Sequence, residues 1–455
     1  MAEIRPFRAY RYDTQRVSLP DVLTQPYDKI TPQMQEHYYA ASPYNLIAVE
    51  KGRALPEDSP ASNVYTRAAE KIKQWIAEKV LVRDAAPSLY VYAQEFLVPG
   101  TATRRVRWGF IGLVRVEDYD AKVVFRHERT LSGPKADRIE LLRHTRAQTG
   151  QLFLLYDDPA RQTDRWLEDA ARQAAPAEMK DEYGVLHRLW PVADPAFIAR
   201  MREALAEKKL VIADGHHRYE TALAYRNECR QRAGTANPRA ASEFAMATFI
   251  NTHSPGLTIL PTHRVVSRLP RFDFDEFRKK LAPWFDWYSY PFGESQERAS
   301  IWAEFRRDLE HPQPGRRAIG LYTGPLQGAR AFYLFVLRRG VDLEALLPDV
   351  SEAQRGLDVL LLHRLILEKG LGITAEAVAA EQHVGYEREM DAALAAVDDG
   401  QAQLAFLLNP IRVQQVVEIA LAGGVLPQKS TDFYPKLLSG LAIYGTEGLL
   451  DESAQ

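Results

Sequence analysis

The stretch LVIADGHHRYETALAY, residues 210–225, constrains this chain more than any other. Leu210–Ala213 has the composition of a short buried strand, while Tyr219, Ala222 and Leu223 fall on one face of a helix. Gly215 lies between them and permits a tight turn out of the strand into the helix start. Asp214, His216, His217 and Arg218 are thereby crowded at a helix N-terminus. Backbone N–H groups and the helix dipole make such a place a phosphate site. Capping alone would use one of these residues, with Asp214 as N-cap and the histidines exposed.

The surrounding chain reads as a mixture of strands and helices. The first 60 residues are rich in Pro and Tyr, and QPYD (25–28) and SPYN (42–45) read as turns. Residues 63–80 predict a helix with Val64, Ala68, Ile72, Trp75 and Ile76 on one stripe. Residues 88–97 and 104–119 alternate like strands around a PGTAT hairpin loop. The run HERTLSGPKADRIELLRHT begins as a polar loop and becomes helical near Lys135. Strands are expected at 151–156, in VLHRLWPV, and at 244–250, with helices near 160–178 and 195–208. Pro270 marks a change, giving an expected division into residues 1–270 and 271–455. The second part predicts strands near 316–323, 331–339 and 404–408, and helices near 354–369 and 412–422. Gly423 and Gly424 stop the last helix, and the polar run PQKSTDFYPK follows.

Composition narrows the function classes. A chain of 455 residues exceeds one ordinary core. A net charge of −2 disfavours sequence-independent nucleic-acid binding, which needs a basic face. The single cysteine, Cys229, excludes an intrachain disulfide framework and a thiolate-only metal cage. The start MAEIRPFRAY has no apolar signal core, and no apolar run approaches a membrane span, so the expected compartment is the cytoplasm and no membrane partner is expected. The oligomeric state stays open, a homodimer included.

Four polar clusters carry the candidate chemistry. They are Asp214, His216, His217 and Arg218; His127, Glu128, Arg129 and Thr130, with Lys135, Asp137 and Arg138; Thr262, His263 and Arg264; and Lys429, Ser430 and Thr431, with Tyr434 and Lys436. Each sits where an apolar element gives way to a loop, the usual position of ligand groups in α/β proteins. Arg and Lys beside small hydroxyls suit phosphate oxygens, and carboxylates suit Mg²⁺ or deprotonation of a hydroxyl. There is no HExxH spacing, no GxxxxGK[ST] loop and no GxGxxG fingerprint. A metal held by His127, His216 and His263 remains open.

RPFRAYRYD, QPYDKI, SPYN, HERT…PKADR, ADGHHRYETAL, LPTHR and PQKSTDFYPKLLSGL resemble the successive signatures of the domain-of-unknown-function 1015 family, over about residues 4 to 443. The DGHHR turn also resembles the DGHxR turn of the free-serine kinases, over a dozen residues. This second resemblance implies a ParB/sulfiredoxin-like catalytic region with a C-terminal α/β portion contributing the PQKST loop. It implies that Asp214 is a base or metal-linked acid, and that His216 and Arg218 contact phosphate. It also implies a required glutamate, for which Glu128 is the candidate. Sulfiredoxin carries a cysteine in this turn where the chain has His217 or its neighbours, and ParB proteins carry a helix-turn-helix not found here, so those two activities are not expected.

The expected protein is therefore α/β (mixed with α+β) and transfers a phosphoryl group between a nucleotide, ATP or ADP, and a small hydroxyl substrate such as free L-serine. Asp214 or Glu128 would take the hydroxyl proton, with His217 beside them. Gly215, Arg218, His216, Lys429, Ser430 and Thr431 would hold phosphates, with Mg²⁺ bridging them. His127, Thr262, His263 and Arg264 would hold the acceptor, Arg264 through a carboxylate fork. Two rival readings use the same residues: hydrolysis of phosphoserine or a related monoester, and a nucleotide- or phospholigand-sensing module without turnover.

Overall fold

The run LFLLY at residues 152–156 is apolar at every position, and such a strand has to lie inside a sheet covered on both faces. In the computed structural model of the protein Leu152–Tyr156 is buried throughout. It lies between Leu210–Asp214, antiparallel to it, and Phe244–Asn251, parallel to it. The structure describes residues 1–128, 132–293, 295–313, 315–325, 330–427 and 429–446. Arg129 and Thr130 of the HERT run and Gln428 of the PQKST run lie outside them.

The chain divides into two units, Met1–Thr258 with the chain from Phe433 onward, and Ile259–Asp432. A linear division at residue 270 does not contain this return of the C-terminal segment. The first unit holds a nine-stranded mixed sheet. Its order is Val124–Phe125, Leu210–Asp214, Leu152–Tyr156, Phe244–Asn251, Arg104–Arg115, Leu89–Leu97, Leu186–Val192 and Ala177–Lys180, with Ile4–Arg5 also paired to Arg104–Arg115. Leu167, Met201 and Tyr219, from three helices, pack with Leu154, Ile212 and Phe249 of the sheet. Tyr219 thus faces the core as its spacing predicts, and Phe110 stacks on Phe249 at 4.8 Å.

The second unit is built on six strands, ordered Phe285–Phe292, Arg330–Leu337, Ala318–Tyr322, Leu404–Leu407, His263–Val266 and Val384–Glu387. Every pairing in it is antiparallel. Phe305, Leu309, Ala393 and Val397 of its helices cover one face. Phe277 packs edge-on against Phe335, 5.9 Å away. The protein is a mixed α and β fold, and no helix among the described residues is long and apolar enough to cross a membrane.

Three expectations are corrected. The helix expected over 160–178 ends at Ala171, and Ala177–Lys180 is a strand in a hairpin with Leu186–Val192. Pro176 biases Ala175 away from helix and so keeps the helix from reaching residue 178. The Pro/Tyr-rich start holds the helices Pro32–Ala41 and Ile47–Glu50 besides turns, Pro32 taking the first helical position, where its missing N–H costs nothing. The helix near residue 354 is broken into Glu352–Arg355 and Asp358–Leu361, and the latter continues as the wider π-helix Leu362–Gly370.

One close approach positions the strand that supports the site below. A Cβ on Gly256 would stand 2.3 Å from the carbonyl oxygen of Val106 and 2.5 Å from Cα of Arg107. Both are backbone atoms of Arg104–Arg115 and cannot rotate away. Gly256→Ala is expected to lower the unfolding free energy by about 2–3 kcal/mol through overpacking. Gly234→Ala, at a helix end with φ of 69° and nothing within 4 Å, is expected to cost only about 1 kcal/mol of backbone strain. Urea midpoints of the two variants test the difference.

Candidate active site at a strand–glycine–helix turn

Leu210–Asp214 ends in a local irregularity. Its pairing to Leu152–Tyr156 shifts register between Ile212 and Asp214, so Ala213 is the extra residue of a bulge. Bulges re-aim the side chains beside them. Gly215 follows at φ 91°, a left-handed conformation that suits glycine, and the 18-residue helix His216–Ala233 begins at once. No side chain caps this helix. Asp214 does not serve as N-cap: its Oδ1 accepts from the N–H of Gly215 at 2.8 Å. The first N–H groups of the helix therefore keep their anion-binding capacity.

Asp214 is the electrostatic centre of the site. Its Oδ2 lies 3.3 Å from Nζ of Lys436, and its Oδ1 lies 3.9 Å from Arg218. Burial on its own would raise the carboxyl pKa; Lys436, Arg218 and Lys29 outweigh it and hold the group well below the usual carboxylate range. Arg218 donates to the carbonyl of Gln151, which ties the helix start to the edge of Leu152–Tyr156.

His127 and His216 form a buried pair, their rings perpendicular with centroids 4.7 Å apart. Nδ1 of His127 is 2.7 Å from the carbonyl of Ile212, which only accepts, so Nδ1 carries the proton. The backbone N–H of His127 donates to Nε2 of His216 at 3.4 Å, which leaves the proton of neutral His216 on Nδ1. Burial pushes His127 down to about 4, against the pull of Ile212 and Asp214. Burial, then His127, push His216 well below the ordinary range. Both rings are thus neutral at physiological pH. His217 is half-buried and its pKa is lowered by burial, against Glu220 and Asp28. Glu220 holds Arg126 at 3.4 Å and Lys135 at 3.5 Å. Glu128 follows His127 and is half-buried.

Lys436 reaches Asp214 because a buried clamp holds its backbone. Arg107 is 1 % exposed, lies over the Phe153 ring at 4.8 Å, and donates to the carbonyls of Tyr434 at 3.0 Å and Pro435 at 2.5 Å. Gln94 accepts from Arg107 and donates to the carbonyl of Lys436 at 2.8 Å. Three consecutive carbonyls are thereby fixed. Burial pushes the Arg107 guanidinium down to about 9, opposed by Tyr92, Asp214 and Tyr434.

The structure therefore brings His127, Asp214, Gly215, His216, Arg218 and Lys436 together in the first unit. Of the other expected residues, Glu128 and His217 also lie in the first unit, whereas Thr262, His263, Arg264, Lys429, Ser430 and Thr431 belong to the second. His263 is fully buried, and its Nδ1 accepts from the N–H of Leu408 at 3.1 Å. Arg264 is buried and donates to the carbonyls of Thr262 and Lys429, so its fork holds a loop. Ser430 caps no helix: its Oγ donates to the carbonyl of Pro427 at 2.5 Å, and the strand Asp432–Tyr434 follows Thr431. Among the described residues no group of three or more His, Cys, Asp or Glu is gathered as a metal site. Lys29, Gln94, Arg107 and Gln151 were not legible as site residues. Lys29 had a signal in QPYDKI, which stands among the family signatures but was assigned no role; the others sit singly in strands or beside them.

Lys436→Met tests the electrostatic centre. A group with a depressed folded pKa stabilises the fold above its unfolded value of about 4, and this is lost as pH falls toward the folded value. Removing Lys436 is therefore expected to cost about 2 kcal/mol at pH 7 and progressively less below pH about 4. Denaturant titrations of both proteins from pH 3 to pH 7 check this; a pH-independent difference contradicts the assignment.

No curated protein matches the chain in sequence. Solved structures that align with it include a free serine kinase in complex with AMP, at 13 % identity and a TM-score of 0.32, covering 76 % of this chain and 97 % of that one. A conserved hypothetical protein from Pyrococcus furiosus aligns at 14 % identity and 0.31, covering 72 % and 94 %. SbnI from Staphylococcus aureus, truncated at its C-terminus, aligns at 10 % and 0.32, covering 73 % and 87 %. Likeness at these scores carries no functional argument. The family described as "Protein of unknown function (DUF1015)" matches residues 4–360, more than half of the chain, and the protein belongs to it.

Proposed function

We propose that the first unit is a phosphotransferase that moves a phosphoryl group from a nucleotide, ATP or ADP, to a small hydroxyl acceptor, free L-serine being the first to test. The observation that carries this reading is the uncapped start of His216–Ala233, with Arg218 and Lys436 flanking an ionised Asp214. The donor set fits a phosphate: backbone N–H groups, a guanidinium and an ammonium surround one place. Neutral His216, with its proton on Nδ1, can donate to a phosphate oxygen without adding charge.

In the proposed reaction the acceptor oxygen attacks phosphorus and forms the new O–P bond. The P–O bond to the nucleotide breaks, and the bonding pair leaves with the nucleotide oxygen. Asp214 accepts the hydroxyl proton; its low basicity suffices because proton transfer is late in a loose transition state. Glu128 is the second carboxylate of this reading. Arg218 and Lys436 neutralise charge on the transferred group. Mg²⁺, if bound, would rest mainly on phosphate oxygens with Asp214 as its protein carboxylate, and would supply further neutralisation.

Asp214→Asn is expected to lower phosphotransfer by about 10³-fold and Arg218→Lys by about 10²-fold, the second because a point charge replaces a fork. Phosphorus NMR with Mg²⁺, L-serine and, in turn, ATP, ADP and polyphosphate reads this directly. A new phosphomonoester that disappears in Asp214→Asn supports the reading. Inorganic phosphate released from phosphoserine alone replaces it with hydrolysis. Nucleotide binding without turnover, retained in Asp214→Asn, replaces it with sensing.

A further inference from the structure

A cavity of about 260 Å³ in the first unit shares Glu50, Arg138 and Leu141 with a space of about 60 Å³ that Arg218 lines. Its wall draws on two runs that the turn leaves without a role, Tyr27 of QPYDKI and Asp137 and Arg138 of PKADR. Val49, Val64 and Leu141 give it an apolar lining, and Tyr27 and Tyr65 add two aromatic rings. Both rings are held in place. Arg138 lies over Tyr27 at 4.3 Å; Tyr65 stacks on His144 at 5.8 Å and donates its hydroxyl to Asp137 at 3.0 Å. A ligand that enters meets rings already ordered, which lowers the entropy cost of binding.

The charges in the wall cancel. Arg138 meets Asp137 at 2.5 Å and Glu50 at 3.8 Å, and Nζ of Lys51 turns to the carbonyl of Ile30 at 2.6 Å. Two carboxylates against a guanidinium and an ammonium call for no further ion, so the cavity suits a neutral ligand. The edge of such a ligand can still be read. Gly52 lines the cavity, and neither its N–H nor its carbonyl is hydrogen-bonded to another described residue. Oδ1 of Asp137, which accepts from Tyr65, has a second lone pair. One donor and two acceptors around an apolar, aromatic slot match a flat ring that carries ring nitrogens and an amine. The volume falls below the ~300–1,000 Å³ of pockets that enclose a whole drug-sized molecule, so one ring system fits.

We propose that this cavity binds a neutral purine base of the adenine type, its faces against the apolar lining and the tyrosines, its polar edge toward Gly52 and Asp137. Taken with the phosphotransfer reading, on which this clause alone rests, the base is that of the phosphoryl donor, with the phosphates extending toward the turn. The surroundings allow that course. A methyl group built on Gly150 would stand 3.5 Å from both Oε1 of Glu50 and Nη1 of Arg218, so the shared wall and the guanidinium are neighbours. Burial, and next Asp28, push the Tyr27 hydroxyl up to about 12, and Arg218 is among the charges that oppose them.

Saturation-transfer NMR of the full chain at pH 7 with adenosine, which carries the base and no phosphate, tests this. H2 and H8 of the base are expected to receive about twofold or more the saturation of the ribose protons, because the ring is the enclosed part. Uridine, with the same sugar and a smaller ring without an amine, is expected to bind about tenfold more weakly. Val64→Phe, which fills the cavity from the first position of the helix Val64–Ala77, is expected to weaken adenosine about tenfold. Tyr65→Leu removes a ring and serves if Val64→Phe does not fold. Absence of saturation, equal saturation of base and ribose, uridine bound as well as adenosine, or adenosine unaffected in a folded variant overturns the proposal. Adenosine bound as expected without phosphotransfer would refute only the phosphotransfer reading; phosphotransfer whose KM for the nucleotide is unchanged in a folded Val64→Phe protein would refute only this one.

Discussion

The first unit depends on a contact between residues 222 positions apart, the Lys436–Asp214 ion pair. Everything near the turn is arranged around it. Arg107 and Gln94, on neighbouring strands, hold the carbonyls of residues 434–436 and so decide where the ammonium of Lys436 points. This explains why the unit is discontinuous in sequence. The segment that leaves the second unit at Phe433 returns to close the site rather than trailing from it. The adjoining chain is tied as firmly: Gln151 donates to the carbonyl of Leu438, and Ser439 pairs with Thr24 in both directions.

The polar residues of the turn divide into charged and neutral groups by their surroundings. Asp214 keeps its charge although partly buried, because three cations face it. His127 and His216 lose theirs, because burial acts on both and His127 adds to it at His216. A cationic imidazole there would compete with Lys436 and Arg218 for Asp214. A neutral one donates a hydrogen bond and leaves the ion pairs intact. His127 is a positioning residue in this scheme: its backbone N–H occupies Nε2 of His216.

The turn itself was legible in the sequence because its signals are local. An apolar run, a glycine and a helical repeat lie within sixteen residues, and the strand, the turn and the buried Tyr219 all stand where the spacing puts them. What was not legible depends on distant partners. Arg107 reads as one more polar position in an alternating strand; only the returning carbonyls explain a guanidinium that is 1 % exposed. Lys436 stood in a recognised polar run, but Ser430 and Thr431 drew attention as phosphate ligands while Lys436 makes the contact with Asp214. The end of the helix at Ala171 was missed for a related reason: the hairpin beyond it is fixed by pairing with Leu186–Val192, and the strand Ala177–Lys180 has little apolar pattern of its own.

Glu50 shows the same dependence on distant partners. It ends the short helix Ile47–Glu50 in a segment that reads as turns, so no periodicity marks it. Its significance comes from Thr149, Gly150 and Ser439, which the fold collects from two other parts of the chain. Its carboxylate is met by Arg138 at 3.8 Å, as that of Asp214 is met by Lys436. Two carboxylates of the first unit are thus each answered by a cation that arrives from another part of the chain, and a buried charge without such a partner would be costly. No local pattern announces either pairing, because the partner that makes the charge tolerable is set by the fold and not by the neighbouring residues.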